Sequence, residues 1–94
     1  MSNYKLLYIT CGSKNEAVNL GKLIVKNKLA ACTNIFSNIN SIFNWNNKVS
    51  QSKETILVGK TQKKNITKII KFIVSRHSYD CQSILFFDIE KGNK

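Results

Sequence analysis

The sequence predicts a ferredoxin-like α+β sandwich with the element order strand, helix, hairpin, helix, strand. Three observations lead there. A long run of alternating residues turns back on itself at Asn46-Asn47. A stretch with helical spacing flanks that hairpin on each side, and an apolar, β-rich segment lies outside each helix. Two right-handed βαβ crossovers that share one antiparallel sheet make this sandwich.

The first segment, Tyr4 to Cys11 (YKLLYITC), is apolar and β-rich, which suits a central strand. Gly12-Ser13 breaks it. Ser13 and Glu16 then have the spacing of a capping box, in which hydroxyl and carboxylate satisfy orphan amides at a helix start. The helix that follows places Ala17, Leu20, Leu23 and Ile24 on one face and Asn19, Lys22 and Lys26 opposite. It is expected to end near Lys28.

The rest of the chain is organised around Leu29 to Thr61. From Ile39, one parity (Ile39, Ser41, Phe43, Trp45) is mostly apolar and the other (Asn38, Asn40, Ile42, Asn44, Asn46) is mostly amide. A period of two marks a strand with one buried face. Asparagine tolerates positive φ, so Asn46-Asn47 suits a two-residue primed turn, and Thr55 to Lys60 closes the hairpin. An unbroken first run from Ala30 to Asn46 exceeds the usual ~3–10 residues of a strand. Either a bulge breaks it or its tip projects beyond its own domain. A projecting tip that carries Phe43 and Trp45 needs another surface to cover it, which points to an oligomer.

After Thr61, Ile66, Ile69, Ile70, Ile73 and Val74 recur at offsets of three and four, with Lys64, Lys68 and Lys71 on the other side. His77-Ser78-Tyr79-Asp80 closes this second helix. Cys81 to Ile89 is the last strand, and Glu90 to Lys94 is a loose, charged tail.

The 94 residues make one domain, 1–94, able to bury roughly 60–68% of its unfolded surface. With 43% apolar residues, a core forms without disulfides or metal. The net charge of +10 attracts polyanions. Abundant Lys, Asn and Ile with no Pro also fits a coding bias that decorates every solvent face with Lys. Lys64, Lys68 and Lys71 lack the aromatic interleaving of an RNA-binding surface, so specific nucleic-acid binding is not expected. Cys11, Cys32 and Cys81 are odd in number and form no Cys-x-x-Cys pair, which excludes a disulfide framework or zinc knuckle. No charged-then-apolar leader and no membrane-length apolar run is present, so the expected compartment is the cytoplasm, with no membrane partner.

Groups able to do chemistry are few. No Gly-rich phosphate loop, paired acids or nucleophile-base motif appears, so no catalytic residue is assigned and an enzyme is not expected. Cys32 sits in Leu29-Ala30-Ala31-Cys32 and reads as a small buried hydrophobe. Cys11 ends a strand just before a helix start, where the helix dipole favours thiolate. His77 is a capping or packing residue, or a metal ligand if thiolate partners converge on it.

Lys28-Leu29-Ala30-Ala31-Cys32-x-Asn34, Ser41-x-Phe43-x-Trp45-x-x-Lys48, Glu54, Lys60-Thr61 and His77-x-Tyr79, in that order and spacing, resemble the CutA divalent-cation tolerance proteins. The match runs from about Thr10 to Asn93 without a gap. The resemblance implies a homotrimer similar in architecture to the PII signalling proteins, with the hairpin reaching onto neighbouring subunits. It implies a role in metal homeostasis, copper or another divalent cation being bound near the clefts between subunits. A PII-like regulatory trimer that binds a small ligand in the intersubunit cleft, with a protein partner, is the alternative.

Carried over by residue, Cys11 and His77 are the candidate metal ligands, and Trp45, Lys48, Glu54, Lys60 and Tyr79 the candidate cleft residues. The sequence departs from the family in three places. Ser78 replaces a proline, Ser83 replaces an acid, and the chain stops where the family continues into an aromatic C-terminal helix. Loss of the acid leaves thiol and imidazole, which suit copper or zinc better than magnesium or manganese. No obligatory cofactor is expected.

Overall fold

A computed structural model describes residues 3–76 and 83–93. The elements are β1 (Tyr4–Cys11), α1 (Lys14–Lys26), β2 (Cys32–Trp45), β3 (Lys48–Gln62), α2 (Ile66–Arg76) and β4 (Ser83–Asp88), with one 3₁₀ turn, Lys63–Asn65, leading into α2. The sheet runs β2-β3-β1-β4, and every neighbouring pair is antiparallel. β1 and β2 therefore run parallel across β3, and β3 and β4 across β1. Each helix is the crossover of a split βαβ unit, which is the expected ferredoxin-like fold.

α1 starts where Ser13, in extended backbone, accepts the Glu16 N–H on its hydroxyl at 3.2 Å. Its buried face is Ala17, Leu20, Gly21 and Ile24, while Leu23 is only half-buried. Gly21 replaces the expected Leu23 because the helix lies close on the sheet: a Cβ there would stand 2.9 Å from Thr33 Oγ1 and 3.3 Å from Leu57 Cδ1. The helix ends one turn before hairpin pairing. Leu29 N–H bonds Ile24 C=O at 3.0 Å and Lys28 N–H bonds Val25 C=O at 3.0 Å, with Lys28 at φ 58°. This is a Schellman cap whose left-handed position holds a lysine rather than the usual glycine.

The core lies between the helices and one sheet face. Leu7, Ile9, Cys11 and Leu57 of the sheet meet Ile24 of α1 and Ile69 and Ile73 of α2, all fully buried. Ile84 and Phe86 of β4 pack against its margin. The sequence expectation for α2 holds for Ile69 and Ile73, but Ile70 and Val74 are exposed. At the sheet's end Lys5 is buried, 6% exposed, and its ammonium donates to Asp88 Oδ1 at 2.9 Å.

Both alternatives for the long hairpin hold together. β2 slips register between Phe36, opposite Ile56, and Ile39, opposite Glu54, so two residues of β2 face only Thr55. Asn38 takes φ 58° in that bulge. Beyond it Ile39–Trp45 and Lys48–Glu54 pair as a two-stranded arm, closed by Asn46 at φ 53° and Asn47 at φ 63°. Both turn residues have positive φ, as a type I′ turn requires. The return strand is longer than Thr55 to Lys60 because the whole outgoing arm needs a partner. The chain's radius of gyration is 13.9 Å, against about 12 Å for a compact domain of this length.

Candidate functional site

Side chains alternate across a strand, so the register sorts every sheet residue onto one of two faces. Lys5, Leu7, Ile9 and Cys11 of β1 share the helix-covered face with Thr55, Leu57, Gly59 and Thr61 of β3 and with Ile84 and Phe86 of β4. The opposite face carries Leu6 and Tyr8, Ile56 and Val58, Leu85 and Phe87, and Phe36. No helix of the described chain packs there. Phe36, Leu85 and Phe87 are about half exposed, at 52%, 47% and 49%. Tyr8 and Phe87 meet edge to face with ring centroids 6.1 Å apart.

This face escaped the sequence reading, although a signal existed. The middles of β1 and β4, Leu6 to Ile9 and Ile84 to Phe87, are unbroken apolar runs, the pattern of strands covered on both sides. Two helices can cover only one side.

The arm continues the same face. Ile39, Ser41, Phe43 and Trp45 stand opposite Glu54, Ser52, Ser50 and Lys48. The expected buried face of this stretch is not buried by its own chain: Phe43 is 41% exposed and Trp45 66%. On the reverse side, Ile42 and Val49 are exposed as well, at 68% and 81%. The arm is too far from either helix to be covered by it.

The residues singled out from sequence fall into separate places. Cys11 is fully buried, 0% exposed, among core side chains on the helix-covered face. Ser83 stands opposite Thr10, whose hydroxyl lies 3.3 Å from its own, and so belongs to the uncovered face. The thiol and the position of the missing acid therefore point to opposite sides of the sheet. Cys32 is half-buried on the uncovered face, where it pairs with Lys60. His77, Ser78, Tyr79 and Cys81 lie outside the described residues.

Trp45 and Lys48 are cross-strand neighbours at the arm tip, Glu54 stands at the arm's base opposite Ile39, and Lys60 lies at the far end of β3. All four share the uncovered face. From Lys48 to Lys60 the strand spans roughly 40 Å at ~3.3 Å per residue, so one chain does not bring these four into one cleft. Thr61, next to Lys60, is structural. It is buried, and its hydroxyl donates to the Leu29 carbonyl, which also accepts from Asn65 Nδ2 at 3.3 Å. Among the described residues no three His, Cys, Asp or Glu side chains group so as to hold a metal ion. Among them too, no helix is long and apolar enough to cross a membrane.

Comparison with known proteins places this geometry. Residues 5–94 match the family model described as CutA1 divalent ion tolerance protein. The divalent-cation tolerance protein CutA of Archaeoglobus fulgidus is 34% identical over 91 residues, covering 97% of this chain and 88% of that protein. Protein CutA of Mus musculus is 29% identical over 86 residues, 92% of this chain and 49% of that protein. The chain thus spans about half the length of the mammalian relatives it matches. The crystal structure of divalent ion tolerance protein CutA1 from Ehrlichia chaffeensis superposes with a TM-score of 0.88 at 32% identity, covering 99% of this chain and 87% of that one.

Proposed function

Since the chain belongs to the CutA1 divalent ion tolerance protein family, we propose that it acts as a cytoplasmic homotrimer that binds divalent or soft metal ions in metal homeostasis and catalyses no reaction. The observation that carries this reading is the uncovered sheet face, with the arm that extends it. Phe36, Leu85 and Phe87 lie exposed on the sheet, and Phe43 and Trp45 on the arm. A contiguous apolar face of this kind marks an interaction surface. A face that joins a domain's own sheet resembles an obligate interface, which is a core cut in half. A closed ring of three copies covers each face and gives each arm a neighbour to lie on.

The same assembly is what the candidate cleft needs. Trp45 and Lys48 of one copy approach Glu54 or Lys60 only if these come from another. Two further observations bear on the cation. Among the described residues of one chain, no three His, Cys, Asp or Glu side chains group so as to hold a cation. Cys11 donates to a metal only if its thiol leaves the core. Tight binding therefore draws donors from His77 or from a second copy, and the remaining thiol and imidazole select copper or zinc over magnesium and manganese.

The test is calorimetric titration of the purified oligomer with Cu(I), Zn(II) and Mg(II), beside Cys11→Ser and His77→Ala. Binding of Cu(I) or Zn(II), weakened in His77→Ala, is the expected result. Undiminished binding in both variants would remove these two residues from the site, and no binding to any of the ions would remove the metal reading.

A further inference from the structure

The end of the domain remote from the arm holds an open groove of about 1160 Å³. Its walls come from the α1–β2 connection, the end of β3, the 3₁₀ turn and the segment after β4. That last segment is tied back by the Ile89 N–H, which donates to the Tyr4 carbonyl at 3.1 Å. Four lysines, Lys28, Lys60, Lys64 and Lys91, line the groove against one carboxylate, Glu90. Tyr4, Val25, Leu29, Ala30 and Ile89 supply an apolar lining.

Two of these lysines, Lys28 and Lys64, occupy positions that do not favour them. Lys63 and Lys64 occupy the turn that opens α2, where the helix dipole favours acids, and the first turn of α2 contains none. Gln62, at the start of that turn, makes no side-chain capping bond. Lys28 holds a left-handed backbone position that glycine fills at lower cost. Like charges gathered around a concave apolar surface raise the local concentration of anions.

We propose that this groove binds a small organic polyphosphate of nucleotide size. Its phosphates meet Lys28, Lys64 and Lys91, and its apolar portion lies on Val25, Leu29 and Ala30. A cation is excluded by four ammonium groups against one carboxylate. Ligand sites of roughly 300–1,000 Å³ hold molecules of drug or nucleotide size, and an open groove slightly above that range fits the same class. The groove is formed within one chain, at the opposite end from that chain's own arm, and of the proposed cleft residues it shares Lys60 alone.

The experiment is metal-free calorimetry, in the presence of EDTA, with ATP, tripolyphosphate and adenosine as probes. The proteins are the parent, Lys28→Glu/Lys64→Glu, and a charge-matched control, Lys14→Glu/Lys22→Glu, on exposed positions outside the groove. The groove variant should bind ATP at least about tenfold more weakly than the parent, and the control within about threefold. ATP should bind more tightly than tripolyphosphate or adenosine alone, and its amide NMR shifts should centre on Ala30, Asn65 and Gly92. Circular dichroism confirms that both variants are folded; an acid at position 64 suits the helix start. Failure of ATP to bind the parent would overturn the proposal. So would equal losses in groove and control variants, tripolyphosphate binding as tightly as ATP, or shifts centred on the arm.

Discussion

Thr61 donates its hydroxyl hydrogen to the carbonyl of Leu29, 32 positions earlier, and so fastens the exit of α1 to the end of β3. Both residues belong to the short motifs on which the resemblance to the CutA proteins rests, and in this chain their contact is architectural. Thr61→Val keeps the shape and removes the donor, leaving the carbonyl to Asn65 alone. The expected loss is about 1 kcal/mol. For a domain of this size that lowers Tm by ~4–8 °C, read by thermal denaturation at one fixed protein concentration.

Lys28→Gly should stabilise the protein. A left-handed conformation costs an L-residue roughly 1–2 kcal/mol, and glycine's extra unfolded-state entropy returns about 0.4–1 kcal/mol of that. The net gain is expected between about 0 and 1.6 kcal/mol, seen as a higher urea midpoint at unchanged slope. A lower midpoint would mean that Lys28 earns its place through contacts of its side chain.

The pair Lys5 and Asp88 should respond asymmetrically. Asp88→Ala leaves a buried ammonium without its carboxylate and should cost about 1–3 kcal/mol. Lys5→Met removes the buried charge and fills the same space, so it should be close to neutral or stabilising. Chemical denaturation of both variants distinguishes this from a pair that contributes equally from either side.

Gly21→Ala should destabilise although alanine is the better helix former by ~1 kcal/mol. The new methyl meets Thr33 Oγ1 at 2.9 Å and Leu57 Cδ1 at 3.3 Å, an overpacking that costs about 1–3 kcal/mol. Adding Thr33→Ala should restore most of the loss. A single variant as stable as the parent would show that Thr33 turns aside freely.

Much of this architecture is legible in the sequence because it rests on local chemistry. Ser13 and Glu16 announce a helix start at a fixed spacing, and Asn46-Asn47 supplies two positive φ angles where a primed turn needs them. The bulge is visible only as a strand that is too long; Asn38, a residue tolerant of positive φ, is its one local sign. What was hidden depends on distant partners. Gly21 rather than Leu23 faces the sheet because of where Thr33 lies, and Lys5 is buried because Asp88 meets it from the other end of the chain. The period of two in the arm correctly marks a strand with an apolar face, but periodicity does not say whose surface covers that face. Cys11 was legible as a strand end beside a helix start. Its burial follows from the strand's parity against two helices, which motif spacing does not encode.

The arm tip should be a determinant of assembly rather than of folding. Trp45→Asp changes a residue that is 66% exposed on a single chain, so an isolated domain should tolerate it. In an oligomer it places a charge in an apolar interface, and dissociation follows.

Sedimentation equilibrium of the parent beside Trp45→Asp tests the central claim most directly, that the uncovered sheet face and its arm are closed by two further copies. The expected result is a parent mass three times the chain's 10.7 kDa across micromolar concentrations, with Trp45→Asp shifted toward smaller species. A parent that sediments as a stable, folded 10.7 kDa monomer would contradict it.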